Sequence, residues 1–146
     1  MFKSSLRHNL HTGQRDDVME LQVVKAVAGF LNARGGTLLI GVSDAGLALG
    51  LDNDLALTGN KGRDGFENSL TTLLDKTLGK VAVANVAVTF ETIEGRDVCR
   101  IDVAAARTPV YVAWKADQQY FFVRLNNGTR PFSISETVNY VAQHWR

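Results

Sequence analysis

Residues 18–51 contain, in immediate succession, a helical pattern, a glycine pair, an apolar run and a turn sequence. Apolar side chains recur at three- and four-residue spacing over 21–31, which predicts an amphipathic helix from about residue 17 to 33. The pair Gly35-Gly36 offers the permissive backbone that ends such a helix. The run 37–42 (TLLIGV) is too short for another helix and predicts a central strand.

A turn is expected directly after this strand. Asp44 has a short side chain that can bond nearby backbone amides, and Gly46 can adopt a positive φ. Residues 47–51 are then expected to return as the antiparallel partner of the strand. The sequence therefore predicts a helix that leads into a β-hairpin.

The remainder of the chain predicts two further helices and four further strands. Apolar spacing over 66–78 indicates the second helix, and Ser133 and Glu136 have the capping-box spacing that begins the third. The strands are expected at about residues 86–90, 98–103, 110–114 and 119–124. Since no repeat or linker divides the chain, we expect one domain over residues 1–146, either complete in itself or part of a longer protein. Its class is α/β (α+β mixed), with a single-layer, mixed, largely antiparallel sheet covered by about three helices.

Composition narrows the function classes. The formal net charge of +1 excludes a histone-like basic protein, so nucleic-acid affinity would have to come from a local patch. The single cysteine, Cys99, excludes an internal disulfide and is expected to be a small buried residue rather than a nucleophile. No apolar run approaches the roughly 20 residues that cross a bilayer, and the first residues lack a signal-peptide core. We therefore expect a cytoplasmic domain that does not bind a membrane.

Spaced motifs resemble the Schlafen-type AlbA-like domain. They are FLNARGGTLLIGVSDAG followed by LALGL, then RDGFE at 63–67, and finally YFFVR with NNGTRP at 120–131. Residues 2–5 (FKSS) resemble the family's first strand, so the resemblance covers nearly the whole chain. It implies the mixed fold of that family and a function in binding DNA or RNA.

The resemblance also raises a nuclease alternative, because a paired form of this fold in animal Schlafen relatives has a basic cleft with acidic residues that cut RNA. Asp44 matches the last acidic position, whereas Met1 stands at the nearer glutamate position. Either the chain is part of a longer protein, or it never had that site. Asp44 is thus the one catalytic candidate, in a domain that we expect to be a binding module rather than an enzyme. We expect no cofactor and no metal ligand, except a divalent cation under the nuclease alternative.

Basic residues are the candidates for contacts with nucleic-acid phosphates. In the resembled fold the first strand, the Gly-Gly turn and the closing segment lie near one another, so their charges would line one groove with little sequence selectivity. The candidates are Lys3, Arg7, Arg15, Arg34, Arg124 and Arg130. For each residue taken alone, a solvated surface charge or a salt bridge is the favoured explanation, and only the set as a whole indicates binding.

Structural roles are expected for Asn32, Gly35, Gly36 and Gly46. Asn32 would cap or brace the hairpin turn, and the two adjacent glycines would end the helix and allow close packing on the sheet. A phosphate cradle at Gly35-Gly36 is the alternative, although the lysine and hydroxyl of a nucleotide-binding loop are missing.

A third hypothesis makes the chain an assembly or regulatory module. An exposed strand edge, or the last helix with Trp145, would then pair with another chain, including a second copy of this one. Nucleic-acid binding through the phosphate backbone remains the first hypothesis, with the ribonuclease and the assembly module as alternatives.

Overall fold

The fold is a mixed α+β arrangement, as the sequence predicts. The computed structural model describes residues 1–6, 8–9, 14–15, 17–56, 62–115 and 117–146. The helices are α1 (Asp17–Leu31), α2 (Asp52–Ala56), α3 (Gly62–Leu78), α4 (Lys80–Val83) and α5 (Ile134–His144). The strands are β1 (Phe2–Lys3), β2 (His8–Asn9), β3 (Gln14–Arg15), β4 (Gly36–Ile40), β5 (Val86–Ile93), β6 (Arg96–Val103), β7 (Val112–Ala113), β8 (Gln119–Tyr120), β9 (Phe122–Leu125) and β10 (Gly128–Pro131).

A four-stranded sheet in the order β1-β4-β6-β5 lies at the centre. Strand β4 pairs in parallel with β1 and antiparallel with β6, which in turn pairs antiparallel with β5. The apolar run of β4 is buried, since Leu38 and Ile40 are both 0% exposed. This is the mixed, largely antiparallel sheet that the sequence predicts. The expected strands at 110–114 and 119–124 do not join it, because their residues form the separate ladders β7–β8 and β9–β10.

The three long helices correspond to the three predicted ones. Helix α1 buries Val24 and Val27, and α3 buries Phe66 and Leu70, all within one apolar core. Helix α5 begins with the predicted capping box, in which the Ser133 hydroxyl accepts from the Glu136 N–H and the Glu136 carboxylate accepts from the Ser133 N–H. Among the described helices, none is both long and apolar enough to cross a membrane.

The predicted return strand at residues 47–51 is wrong. Strand β4 already has β1 on one side and β6 on the other, so it has no free edge for a third partner. A single antiparallel bridge between Val42 and Ala48 replaces the expected ladder. The turn itself forms, because the Gly46 N–H donates to the Ser43 carbonyl and Gly46 has a φ of +84°.

Asn32 connects the end of α1 to two segments that are distant in sequence. Its Nδ2 donates to the carbonyls of Val110 (2.8 Å) and Phe122 (2.9 Å), and its Oδ1 accepts from the Val110 N–H (2.8 Å). The residue is 0% exposed, so these backbone groups would be buried without partners if the amide were absent. The expectation that Asn32 braces the hairpin turn is therefore corrected: its hydrogen bonds hold the segments that carry β7 and β9.

We predict that Asn32→Ala destabilises the domain by about 3–5 kcal/mol, because it removes three buried hydrogen bonds and leaves their backbone partners unsatisfied. Urea unfolding followed by far-UV circular dichroism measures the loss. Asn139→Ala on α5 is the matched control, since Asn139 is exposed and its replacement is expected to change stability by no more than about 0.5 kcal/mol. Equal losses in the two variants would contradict the role assigned to Asn32.

Candidate nucleic-acid interface

Three cationic side chains from three separate elements line one cavity of about 210 Å³. They are Lys3 from β1, Lys25 from α1 and Arg124 from β9, which we call the basic cluster. Lys3 and Arg124 were predicted to contribute to a groove, and the structure brings them together. Sequence reasoning missed Lys25, although it is the one basic residue of α1 and could have been noticed on that ground.

Close packing of the β9–β10 hairpin on α1 brings Arg124 to Lys25. A Cβ atom on Gly29 would lie 2.8 Å from Thr129 Cγ2 and 3.2 Å from the Arg124 backbone nitrogen. Any larger residue at Gly29 would therefore push the hairpin away from the helix. On α1 itself, Gln22 and Lys25 are three residues apart and line the same cavity, as helix geometry requires for neighbours on one face.

Two cations of the basic cluster, Lys25 and Arg124, lie close to aromatic rings. Lys25 Nζ lies 5.4 Å from the centroid of the Phe122 ring, and Arg124 Cζ lies 5.7 Å from the centroid of the Phe30 ring. At these distances the electron-rich ring faces attract the positive charges. Both rings belong to the apolar core, so the core fixes where the charges stand.

The surroundings of Lys3 disfavour its positive charge. Burial lowers the pKa of Lys3, Asp44 opposes that change, and Lys25 and Arg124 lower the pKa of Lys3 further. Like charges at such a half-buried position repel one another more strongly than they would in open solvent. An anion in the cavity would relieve this repulsion, which makes the basic cluster a candidate phosphate site.

A second cavity, of about 630 Å³, lies next to the basic cluster and shares Arg124 with it. Its walls come from the turn after α1, the β9–β10 hairpin and α5, and include Arg34, Tyr140 and His144. The Tyr140 hydroxyl donates to the Asn32 carbonyl, and the Tyr140 ring stacks on His144 with centroids 4.8 Å apart. We call this space the α5 cavity.

Comparison with known protein families agrees with the fold and with the sequence motifs. The sequence model of the family described as Schlafen, AlbA_2 matches residues 2–133, which is most of the chain. The chain belongs to this family. The expected resemblance is thereby confirmed, and the AlbA_2 match ends immediately before α5 begins at Ile134.

A solved structure shares the fold of this AlbA_2 domain. The crystal structure of the DIP2311 protein from Corynebacterium diphtheriae matches with a TM-score of 0.64 over 95% of this chain, at 21% sequence identity. At that identity the likeness concerns the fold alone. The chain spans about a quarter of that protein, 26% of its length. No curated protein sequence matches the chain.

The other predicted basic residues of the AlbA_2 domain are not part of the basic cluster as described. Arg34 lines the α5 cavity instead. Arg130 pairs with Val123 while Thr129 pairs with Arg124, so strand alternation places Arg130 on the opposite face of the hairpin from Arg124. Arg7 and the side chain of Arg15 lie outside the described residues.

Asp44 is exposed in the turn after β4 and is near enough to act on the Lys3 pKa. Within the described residues, no group of three His, Cys, Asp or Glu side chains is placed to hold a metal ion. Met1, at the position where the resemblance implies a glutamate, lines the basic cluster's cavity. The described carboxylates therefore do not gather around Asp44 as a two-metal or three-carboxylate site would require.

The glycine pair serves close packing. Gly35 has a φ of +75°, its N–H donates to the Phe30 carbonyl (2.9 Å), and a Cβ there would lie 2.4 Å from the Val103 carbonyl oxygen. A Cβ on Gly36 would lie 2.4 Å from the Phe30 ring. Since the Gly35 N–H already has a partner, the phosphate-cradle alternative lacks one of the donors it would need.

Cys99 and Trp145, for which the sequence also suggests functional roles, are part of the packed structure. Cys99 is 0% exposed, and burial, reinforced by Glu67, raises the pKa of its thiol to about 12, so the thiol is not a nucleophile. The Trp145 indole N–H donates to the Ala106 carbonyl, and its ring packs against Phe121. Trp145 therefore takes part in the packing of the C-terminal end of the chain against Ala106 and Phe121.

We predict that Thr129→Val raises stability by about 1 kcal/mol, because the Thr129 hydroxyl is buried against Gly29 without a hydrogen-bond partner in the described part of the chain. Valine keeps the shape of the side chain and removes the unsatisfied oxygen. Thermal unfolding measures the change, with Thr137→Val as the control, since the Thr137 hydroxyl donates to the Ser133 carbonyl and its removal should not stabilise the domain. A clear loss of stability in Thr129→Val would show that the hydroxyl has a partner.

Proposed function

We propose that this AlbA_2 domain binds nucleic acid by holding backbone phosphates at the basic cluster. The observation that carries the proposal is the convergence of Lys3, Lys25 and Arg124 on one cavity from β1, α1 and β9. Three positive side chains that line one cavity favour a negatively charged ligand, and phosphate oxygens have the matching charge. Membership of the Schlafen, AlbA_2 family supports the same class of ligand.

The binding mode follows from the kinds of side chain present. Lysine ammonium groups attract phosphates as point charges, and the Arg124 guanidinium can donate to two phosphate oxygens at once. These contacts carry no base information, so the basic cluster would bind different sequences with similar affinity. They also need neither a metal ion nor a cofactor. Arg130 has no phosphate contact in this binding mode, because it projects from the other face of the hairpin.

We predict that Lys25→Ala and Arg124→Ala each weaken binding of a fluorescein-labelled 20-nucleotide single strand by about 3–10-fold in low salt. Each removed phosphate contact should also reduce the slope of log affinity against log salt concentration by about 0.7. Fluorescence anisotropy between 50 and 200 mM NaCl measures both quantities. Lys80→Ala is the charge-matched control, because Lys80 is exposed in α4 and pairs with Asp75.

The outcomes separate a specific site from general attraction. Lys80→Ala is expected to leave the affinity and the salt slope unchanged within error, while circular dichroism verifies that every variant is folded. Wild-type protein that does not bind at 50 mM salt, or whose binding responds to neither salt nor the two cluster substitutions, would overturn the proposal.

A further inference from the structure

We propose that the α5 cavity receives an unstacked base of single-stranded nucleic acid whose phosphate is held by the basic cluster. This inference rests on the proposed function and adds to it the class of nucleic acid. One wall of the α5 cavity lies outside the AlbA_2 match, because Tyr140 and His144 are on α5, beyond residue 133.

The size and lining of the α5 cavity fit a base. Its volume of about 630 Å³ falls in the range of small-ligand sites, which is roughly 300–1,000 Å³. The lining contains planar groups that stack on nucleobases, namely the Arg34 guanidinium and the His144 imidazole. The Asn126 amide also lines the cavity and has the donor and acceptor that a base edge requires.

Volume alone does not single out this cavity. A space of about 540 Å³ beside β5 and β6 is lined by Thr37, Asp102 and small residues, and contains no cation or aromatic side chain in its wall. A phosphate-bearing ligand would meet the carboxylate of Asp102 there. The α5 cavity instead combines guanidinium and aromatic groups in one wall.

The stacking surface is held in place before a ligand arrives. The His144 ring stacks on Tyr140 at an interplanar angle of 15° and meets the edge of Trp145 at a centroid distance of 4.6 Å. Tyr140 is in turn fixed by its hydrogen bond to the Asn32 carbonyl. Because these rings are already ordered, stacking a base on them costs little additional entropy.

Arg124 connects the two binding surfaces, since it lines both cavities. In this proposal a nucleotide whose phosphate lies in the basic cluster places its base in the neighbouring α5 cavity, on the other side of Arg124. Bases in a duplex are paired and stacked and cannot enter such a cavity without being extruded, whereas the bases of a single strand can. The geometry thus favours a single strand.

The test compares two ligands that carry the same phosphates. One is fluorescein-labelled dT12, and the other is a 12-mer of abasic tetrahydrofuran nucleotides with the same label and length. We expect the wild-type protein to bind dT12 about tenfold more tightly than the abasic strand, since base stacking contributes about 1–3 kcal/mol per base. Anisotropy at a fixed low salt concentration gives both affinities.

Variants of the α5 cavity identify where the base is bound. Arg34→Lys keeps the charge but removes the planar guanidinium, and His144→Ala removes the imidazole. Each is expected to reduce the dT12-to-abasic ratio to about threefold or less while leaving abasic binding unchanged. Gln143→Ala, an exposed neighbour on α5, should keep the wild-type ratio. Lys25→Ala should weaken both ligands equally.

Each outcome bears on one of the two proposals. Equal binding of dT12 and the abasic strand, or a ratio that neither Arg34→Lys nor His144→Ala changes, would overturn the base-binding inference and leave phosphate binding intact. Failure to bind either strand would overturn the proposed function as well. A Trp114→Phe protein gives a second readout, since Trp145 beside His144 is then the remaining tryptophan and its fluorescence should respond to dT12 but not to the abasic strand.

Discussion

The buried amide of Asn32 is the interaction on which both candidate binding surfaces depend. Its side chain holds the backbone of Val110 and of Phe122, and its carbonyl accepts from the Tyr140 hydroxyl. One residue at the end of α1 therefore fixes β9 and α5 relative to the helix. Because β9 carries Arg124 and α5 carries His144, the position of each cavity wall depends on a residue that lines neither cavity.

Two glycines, Gly29 and Gly36, allow the close packing that places the basic cluster. Gly29 has no Cβ, so Thr129 and Arg124 can approach the axis of α1, and Gly36 leaves room for the Phe30 ring. Phe30 then lies beneath the Arg124 guanidinium. Gly36, the first residue of β4, therefore acts on the basic cluster indirectly, because it leaves room for the Phe30 ring that attracts the Arg124 guanidinium. A glycine whose sequence pattern indicates only a structural role thus also affects where the Arg124 charge lies.

The parts of the structure that the sequence predicts are those set by local periodicity. Helix α1, strand β4, α3 and the Ser133 capping box follow from spacing within a few residues. The return strand at 47–51 failed because its formation depends on whether β4 has a free edge, and β1 and β6 occupy both. Spacing along the chain contains no information about such distant partners.

The candidate site was predicted less completely for the same reason. Lys3 and Arg124 are 121 positions apart in numbering, and only their motifs suggested that they meet. Lys25 lies within an apolar helical pattern, and a single charged residue in such a pattern is usually interpreted as solvent-exposed. The α5 cavity requires Asn32 to contact Phe122 and Tyr140, separations of 90 and 108 residues. Such long-range hydrogen bonds follow from the packed fold and not from any local pattern.

Phe122 shows how a core residue can serve a binding surface without contacting a ligand. Its ring is 5% exposed and lies under Lys25, while its carbonyl accepts from Asn32. Two residues further along the same strand, Arg124 projects from the same face, because side chains alternate along a strand. The ring therefore attracts one cation of the basic cluster, and the backbone positions another. An anion that binds the basic cluster of the folded domain would therefore stabilise that domain by mass action.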